Sequence, residues 1–135
     1  MGKVRILLTK SELDAHDRGA KYIAKKLTEG GIEVIFTRYA VAEEVVNTAI
    51  QEAVDVIGLS LSGGGHLADI EAITGILKER NLNLPVVVGG SIPYKDVPRI
   101  LSLGVKNYFG QGNDISNIAS YFVELAGTAK TVTDK

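Results

Sequence analysis

The chain contains no cysteine, which excludes disulfides, thiolate metal sites and cysteine nucleophiles together and fits a reducing compartment. Its formal net charge is only −1 over 135 residues, so it lacks the basic excess that marks a nucleic-acid-binding surface. No apolar run approaches the ~20 residues that a membrane-spanning helix needs. The opening Met1-Gly2-Lys3-Val4-Arg5-Ile6 reads as the start of a strand. It lacks the apolar stretch and small-residue cleavage site of a signal peptide. The expectation is a cytoplasmic protein with neither a membrane nor a nucleic acid as partner. Histidine is scarce as well, with only two in the chain.

What remains is an ordinary globular composition, 45% hydrophobic and 23% charged, in a length that suits one domain. Five short runs rich in Val, Ile or Leu, at 4–9, 32–37, 54–59, 84–88 and 105–109, have the character of strands buried on both faces of a parallel sheet. Helical spacing fills the gaps. Ala20, Ile23, Ala24 and Leu27 fall at i, i+3, i+4, i+7, as do Ala42, Val45, Val46 and Ala49. Ile70, Ile73 and Leu77 mark a third face, Val97, Ile100 and Leu101 a short fourth, and Ile115, Ile118, Ala119 and Phe122 a fifth. Gly30-Gly31 suits a left-handed stop to the first helix. Five alternations of strand and helix predict a doubly wound α/β sheet, with the flavodoxin-like strand order 2-1-3-4-5 suiting five strands. Residues 1–126 are expected to form the domain and 127–135 a disordered tail.

In such sheets ligands sit at the carboxyl ends of the strands, near the reversal of strand order. Three motifs fall there. Asp14-Ala15-His16-Asp17-Arg18-Gly19 follows the first strand. An imidazole is a good cobalt ligand, and a carboxylate two residues away can hold the other ring nitrogen. Alone, such a short motif matches more often by accident, as a solvated loop. Ser60-Leu61-Ser62-Gly63-Gly64-Gly65 follows the third strand. It offers a groove of small residues, and it is no P-loop because no Gly-Lys-Ser/Thr follows. Gly89-Gly90 closes the fourth strand, where glycine permits either a tight turn or close approach of a ligand.

Taken together, the motifs resemble the cobalamin-binding domain of the methylmalonyl-CoA mutase family, whose pattern is D-x-H-x-x-G, then S-x-L, then G-G. The likeness spans about 4–125, and Gly89-Gly90-Ser91-Ile92-Pro93 and Phe109-Gly110-Gln111-Gly112 also follow the mutase pattern. The resemblance implies that His16 is the lower axial ligand of cobalt in place of the cofactor's own dimethylbenzimidazole, with Asp14 its partner. It also implies that Asp17, Arg18 and Gly19 border the cofactor, that Ser60, Ser62 and Gly63 line a groove for the displaced nucleotide tail, and that Gly89, Gly90, Phe109 and Gly110 flank that tail. Two departures stand out: Ser62 occupies the place of the motif leucine, and Ala15 stands where mutases often have glycine.

The implied function is the small subunit of an adenosylcobalamin-dependent acyl-CoA mutase. A large TIM-barrel subunit would then hold the acyl-CoA, docking on loops that include Arg38-Tyr39 and residues 91–94. A corrinoid carrier of methyl transfer usually has a preceding helical bundle, and a cobalamin sensor a fused regulatory domain; the sequence shows neither. Other users of this fold fit less well. A receiver domain needs acidic residues where Thr9 and Ser60 stand. A flavodoxin needs a hydroxyl-rich first loop, and a dinucleotide fold needs G-x-G-x-x-G. His66 is expected to open the third helix, and Tyr94 and Arg99 to lie on the surface.

Overall fold

The computed structural model describes residues 3–14, 18–62, 66–110 and 116–133, with the backbone alone at Ser62, His66 and 128–133. The elements run β1 (Arg5–Ser11), α1 (Arg18–Glu29), β2 (Glu33–Tyr39), α2 (Ala42–Gln51), β3 (Val56–Ser62), α3 (His66–Glu79), β4 (Val86–Ser91), a 3-10 turn (Tyr94–Asp96), α4 (Val97–Ser102), β5 (Asn107–Gly110) and α5 (Ile118–Thr133). The sheet is parallel, in the order β2-β1-β3-β4-β5, as the alternating pattern predicts.

Each face of the sheet carries its own core. On one, Val45 and Val46 of α2, Ile70 and Ile73 of α3 and Ile100 of α4 pack over Leu7, Ile57 and Val88. On the other, Leu27 of α1 and Ile118 and Phe122 of α5 pack over Ile6, Val56 and Val87. The helical stripes read from spacing are the faces that are buried. Gly31, at φ +88°, ends α1, and Ile32 donates its N–H back to the Leu27 carbonyl at 3.1 Å, a left-handed stop that glycine adopts without penalty.

Four strands begin one or two residues later than their apolar runs and also end later. Val54 and Val105 are buried but lead into the sheet. At the other end pairing continues through small and polar residues, so that Leu61 lies opposite Gly90 and Ser62 opposite Ser91. Lys10, Ser60 and Gly89, expected in loops, are therefore strand residues. At the C-terminus α5 runs to Thr133, beyond the start of the expected tail at Gly127. Ala126, 2% exposed, anchors the preceding turn, and a helix once formed extends by one backbone hydrogen bond per residue.

The start of α2 carries a pH-sensitive cap. Glu44 accepts hydrogen bonds from the N–H groups of Ala40 at 2.6 Å and Val41 at 3.0 Å, which hold its carboxyl below the ordinary value of 4.5. Because the folded value is the lower one, this stabilisation is complete above pH 4.5 and fades as pH falls below it. Thermal melts between neutral pH and about pH 3 should show a smaller acid-dependent loss for Glu44→Gln than for the wild type; parallel curves would exclude the cap as a contributor.

Candidate functional site

A cavity of about 560 Å³ opens between the sheet and helices α1 and α5, on the face of the smaller core. Its floor is built in rows by the strand register. Leu8, Gly58 and Val87 stand side by side across β1, β3 and β4. One pleat nearer the carboxyl ends come Ser60, Gly89 and Phe109 of β3, β4 and β5. In each row a glycine takes the place of a core side chain, and the missing volume becomes the trough. The walls are Gly19, Tyr22 and Ile23 of α1 and Ile118 and Phe122 of α5. Tyr22 is half exposed, with the Lys26 ammonium 5.6 Å from its ring centroid.

The glycines have distinct roles. Gly90 has φ +126°, and a Cβ there would overlap the Leu61 carbonyl oxygen of β3. Gly110 lies against the Tyr108 ring, 2.9 Å from where its own Cβ would be. The Tyr108 hydroxyl donates to the Gly90 carbonyl at 2.7 Å and accepts from the Ile92 N–H at 3.1 Å, which fixes the turn leaving β4. Gly89 is different: a Cβ there would meet only the Phe109 carbonyl oxygen, at 3.4 Å.

Above the cavity, at the end of β1, Lys10 is fully buried, and its ammonium lies 3.8 Å from a carboxylate oxygen of Asp14, whose side chain is 12% exposed. Asp14 itself is turned back by its N–H bond to the Ser11 carbonyl at 3.1 Å. A buried ammonium requires a counter-charge, so this lysine holds the carboxylate at the strand end. Tyr39 packs beside them. It is 3% exposed, and its carbonyl accepts from the Glu12 N–H at 2.8 Å. Its hydroxyl donates to Asp69 of α3 at 2.7 Å. Burial first, then the bond to Asp69 and the charges of Asp69 and Asp14, raise its pKa well above the ordinary value, so it stays a proton donor. Tyr39 thus joins the β1 loop to α3. Its burial corrects the expectation of a docking residue; among that pair only Arg38 is exposed.

Of the residues singled out by sequence, Gly19, Ser60, Gly89, Gly90, Phe109 and Gly110 converge on the cavity, and Asp14 stands above it. Arg18 opens α1 with its side chain exposed. Ser62 is the last residue of β3, and His66 opens α3 as expected. His16, Asp17 and Gly63 lie outside the described residues. Sequence reasoning missed Lys10 and Gly58. A lone glycine inside an apolar strand is itself a signal of close approach, whereas a lysine at a strand end reads as solvated until its burial is seen. No group of three or more His, Cys, Asp or Glu suited to a metal occurs among the described residues.

Residues 4–119 match the family model described as the B12 binding domain. The chain is 46% identical over 105 residues to the 2-hydroxyisobutanoyl-CoA mutase small subunit of Aquincola tertiaricarbonis, covering 76% of this chain and 77% of that one. It is 36% identical over 110 residues to the pivalyl-CoA mutase small subunit of Xanthobacter autotrophicus, covering 81% and 74%. Against the methylmalonyl-CoA mutase of Cereibacter sphaeroides it is 34% identical over 129 residues, 94% of this chain but only 18% of that protein. Among solved structures, a cobalamin-binding protein from Desulfitobacterium hafniense superposes with TM-score 0.75 at 20% identity, over 91% of this chain and 59% of that one. The NarL receiver domain of Mycobacterium tuberculosis does so with TM-score 0.71 at 16% identity, over 93% and 97%. The structural likenesses, at such low identity, speak for the fold alone. The family match and the small-subunit relatives go further: the chain belongs to the B12-binding domain family.

Proposed function

We propose that this chain is the cobalamin-carrying small subunit of an adenosylcobalamin-dependent acyl-CoA mutase. The observation that carries the proposal is the trough itself, a cavity at the carboxyl end of the sheet floored by Gly58 and Gly89, which any other side chain would fill. The residues present suit a displaced nucleotide tail. Ser60 offers a hydroxyl, the flanking aliphatic and aromatic groups take a flat base, and the volume lies within the ordinary range for small-molecule sites. Asp14, held by Lys10 at the end of β1, stands two residues before His16, which would ligate the cobalt. A carboxylate in that place keeps the other imidazole nitrogen protonated and the ring oriented.

When bound, the cofactor supplies a weak cobalt–carbon bond whose homolysis starts a carbon-skeleton rearrangement. This chain's part is to bind the tail, orient the ring and present the opposite face for enclosure. Three large apolar side chains stand exposed around that edge: Leu13 at 91% after β1, Val41 at 56% after β2 and Tyr94 at 92% after β4. An apolar rim of this kind suits burial by a partner, here a large TIM-barrel subunit that closes over the cofactor and holds the acyl-CoA. No described helix is long and apolar enough to cross a membrane.

With adenosylcobalamin, acyl-CoA isomerase activity should be absent for this chain alone and appear on adding its large subunit, because radical chemistry requires an enclosed site. Turnover by the isolated chain, or methyl transfer with a methyltransferase partner in its place, would overturn the proposal.

A further inference from the structure

The trough changes character with depth. Ser60 lies in the row nearer the strand ends, while the deeper row, Leu8, Gly58 and Val87, is entirely hydrocarbon. Phe122 and Ile118 of α5 line the same cavity. The backbone there offers little more, because the β1–β3 and β3–β4 pairings run through these residues. A ligand group reaching the deeper row therefore meets no free hydrogen-bonding partner among the described residues that line it.

Resting on the cobalamin reading, we infer that this deep row selects the corrinoid by its lower base, admitting one with an apolar edge and rejecting a purine, and that Gly58 sets the depth available. Dimethylbenzimidazole presents two methyl groups on the edge away from its nucleotide bond. Adenine in the same place would bury an exocyclic amine and ring nitrogens without partners, and a buried unpaired polar group is costly. Gly58 controls the space. A Cβ there would lie 3.3 Å from Cδ1 of Leu8, a flexible side-chain end, and the backbone is not among the positive-φ positions. Alanine can therefore be accommodated by the fold while taking volume from the trough.

The test is equilibrium dialysis of the intact chain against cobalamin, adeninylcobamide and cobinamide, which share a corrin and differ in the tail, cobinamide having none. The wild type should bind adeninylcobamide at least roughly tenfold more weakly than cobalamin, the factor that one unpaired buried group produces. Gly58→Ala should lower cobalamin affinity towards that of cobinamide and leave cobinamide unchanged. Equal wild-type affinity for the two tailed corrinoids would overturn the selectivity, as would a Gly58→Ala variant that weakens cobinamide as much as cobalamin. If that variant fails to fold by circular dichroism, the wild-type comparison alone decides. Failure of the wild type to bind any of the three would overturn the cobalamin reading itself.

Discussion

Gly90→Ala is expected to destabilise the cofactor-free domain by roughly 4 kcal/mol or more, a loss reserved for strained backbone and severe overlap, and to lower its melting temperature by roughly 15 °C. Two independent features combine. The backbone at Gly90 has φ +126°, a region that L side chains rarely enter, and a Cβ would overlap the carbonyl oxygen of Leu61. That oxygen belongs to the neighbouring strand, paired through the ladder from Ile57 to Ser62, so it cannot step aside without parting β3 from β4. The Tyr108 bridge to Gly90 and Ile92 would be strained as well. Gly89→Ala, one residue earlier, is expected to behave oppositely. Its Cβ meets only the Phe109 carbonyl oxygen at 3.4 Å, an ordinary contact, so the apo protein should melt within about 1 kcal/mol of wild type. The same methyl enters the trough beside Ser60, so cobalamin affinity should fall. Calorimetric melts of both variants, with a cobalamin titration of Gly89→Ala, check the pair; a Gly90→Ala protein that melts with the wild type would refute the assigned geometry.

The two glycines form one motif in the sequence, and only the structure separates a residue needed by the backbone from one needed by the ligand. Much else was legible. Alternating apolar runs and helical stripes carry the sheet order and the buried faces, because burial on both sides of a parallel sheet leaves a strong pattern in Val, Ile and Leu. The carboxyl ends of the strands were less legible. There, pairing persists through Lys10, Ser60 and Gly89, residue types that read as loop. A trough requires the core pattern to be broken at those positions. Gly58 shows the same effect deeper in β3, where the chain gives up a core side chain. Lys10 and Tyr39 were misjudged for a related reason. Each is a polar residue buried against a partner distant in type or sequence, Asp14 for one and Asp69 for the other, and such pairs leave no periodic trace.

His16→Ala is expected to remove the protein's nitrogen from the cobalt. His16 lies outside the described residues, so the argument comes from what surrounds it. β1 ends at Ser11, Asp14 is turned back and held at 3.8 Å from the buried Lys10, and α1 begins at Arg18. The loop bearing His16 is thus pinned at both ends beside the trough that Gly19 helps to line. The paramagnetic cobalt(II) form bound to wild-type protein should show coupling to one histidine nitrogen, turning from a triplet to a doublet when the protein is labelled with nitrogen-15. In His16→Ala the spectrum should be independent of that label, with the coupling either lost or returned to the cofactor's own benzimidazole. Asp14→Asn should keep the histidine signal but weaken cobalamin binding by roughly 10–100-fold, the usual scale for a partner that orients a metal ligand. It should also destabilise the apo protein, because Lys10 stays buried while its counter-charge is removed. A label-sensitive triplet that persists in His16→Ala would dismiss this residue as the ligand, and unchanged affinity in Asp14→Asn would dismiss the carboxylate as its support.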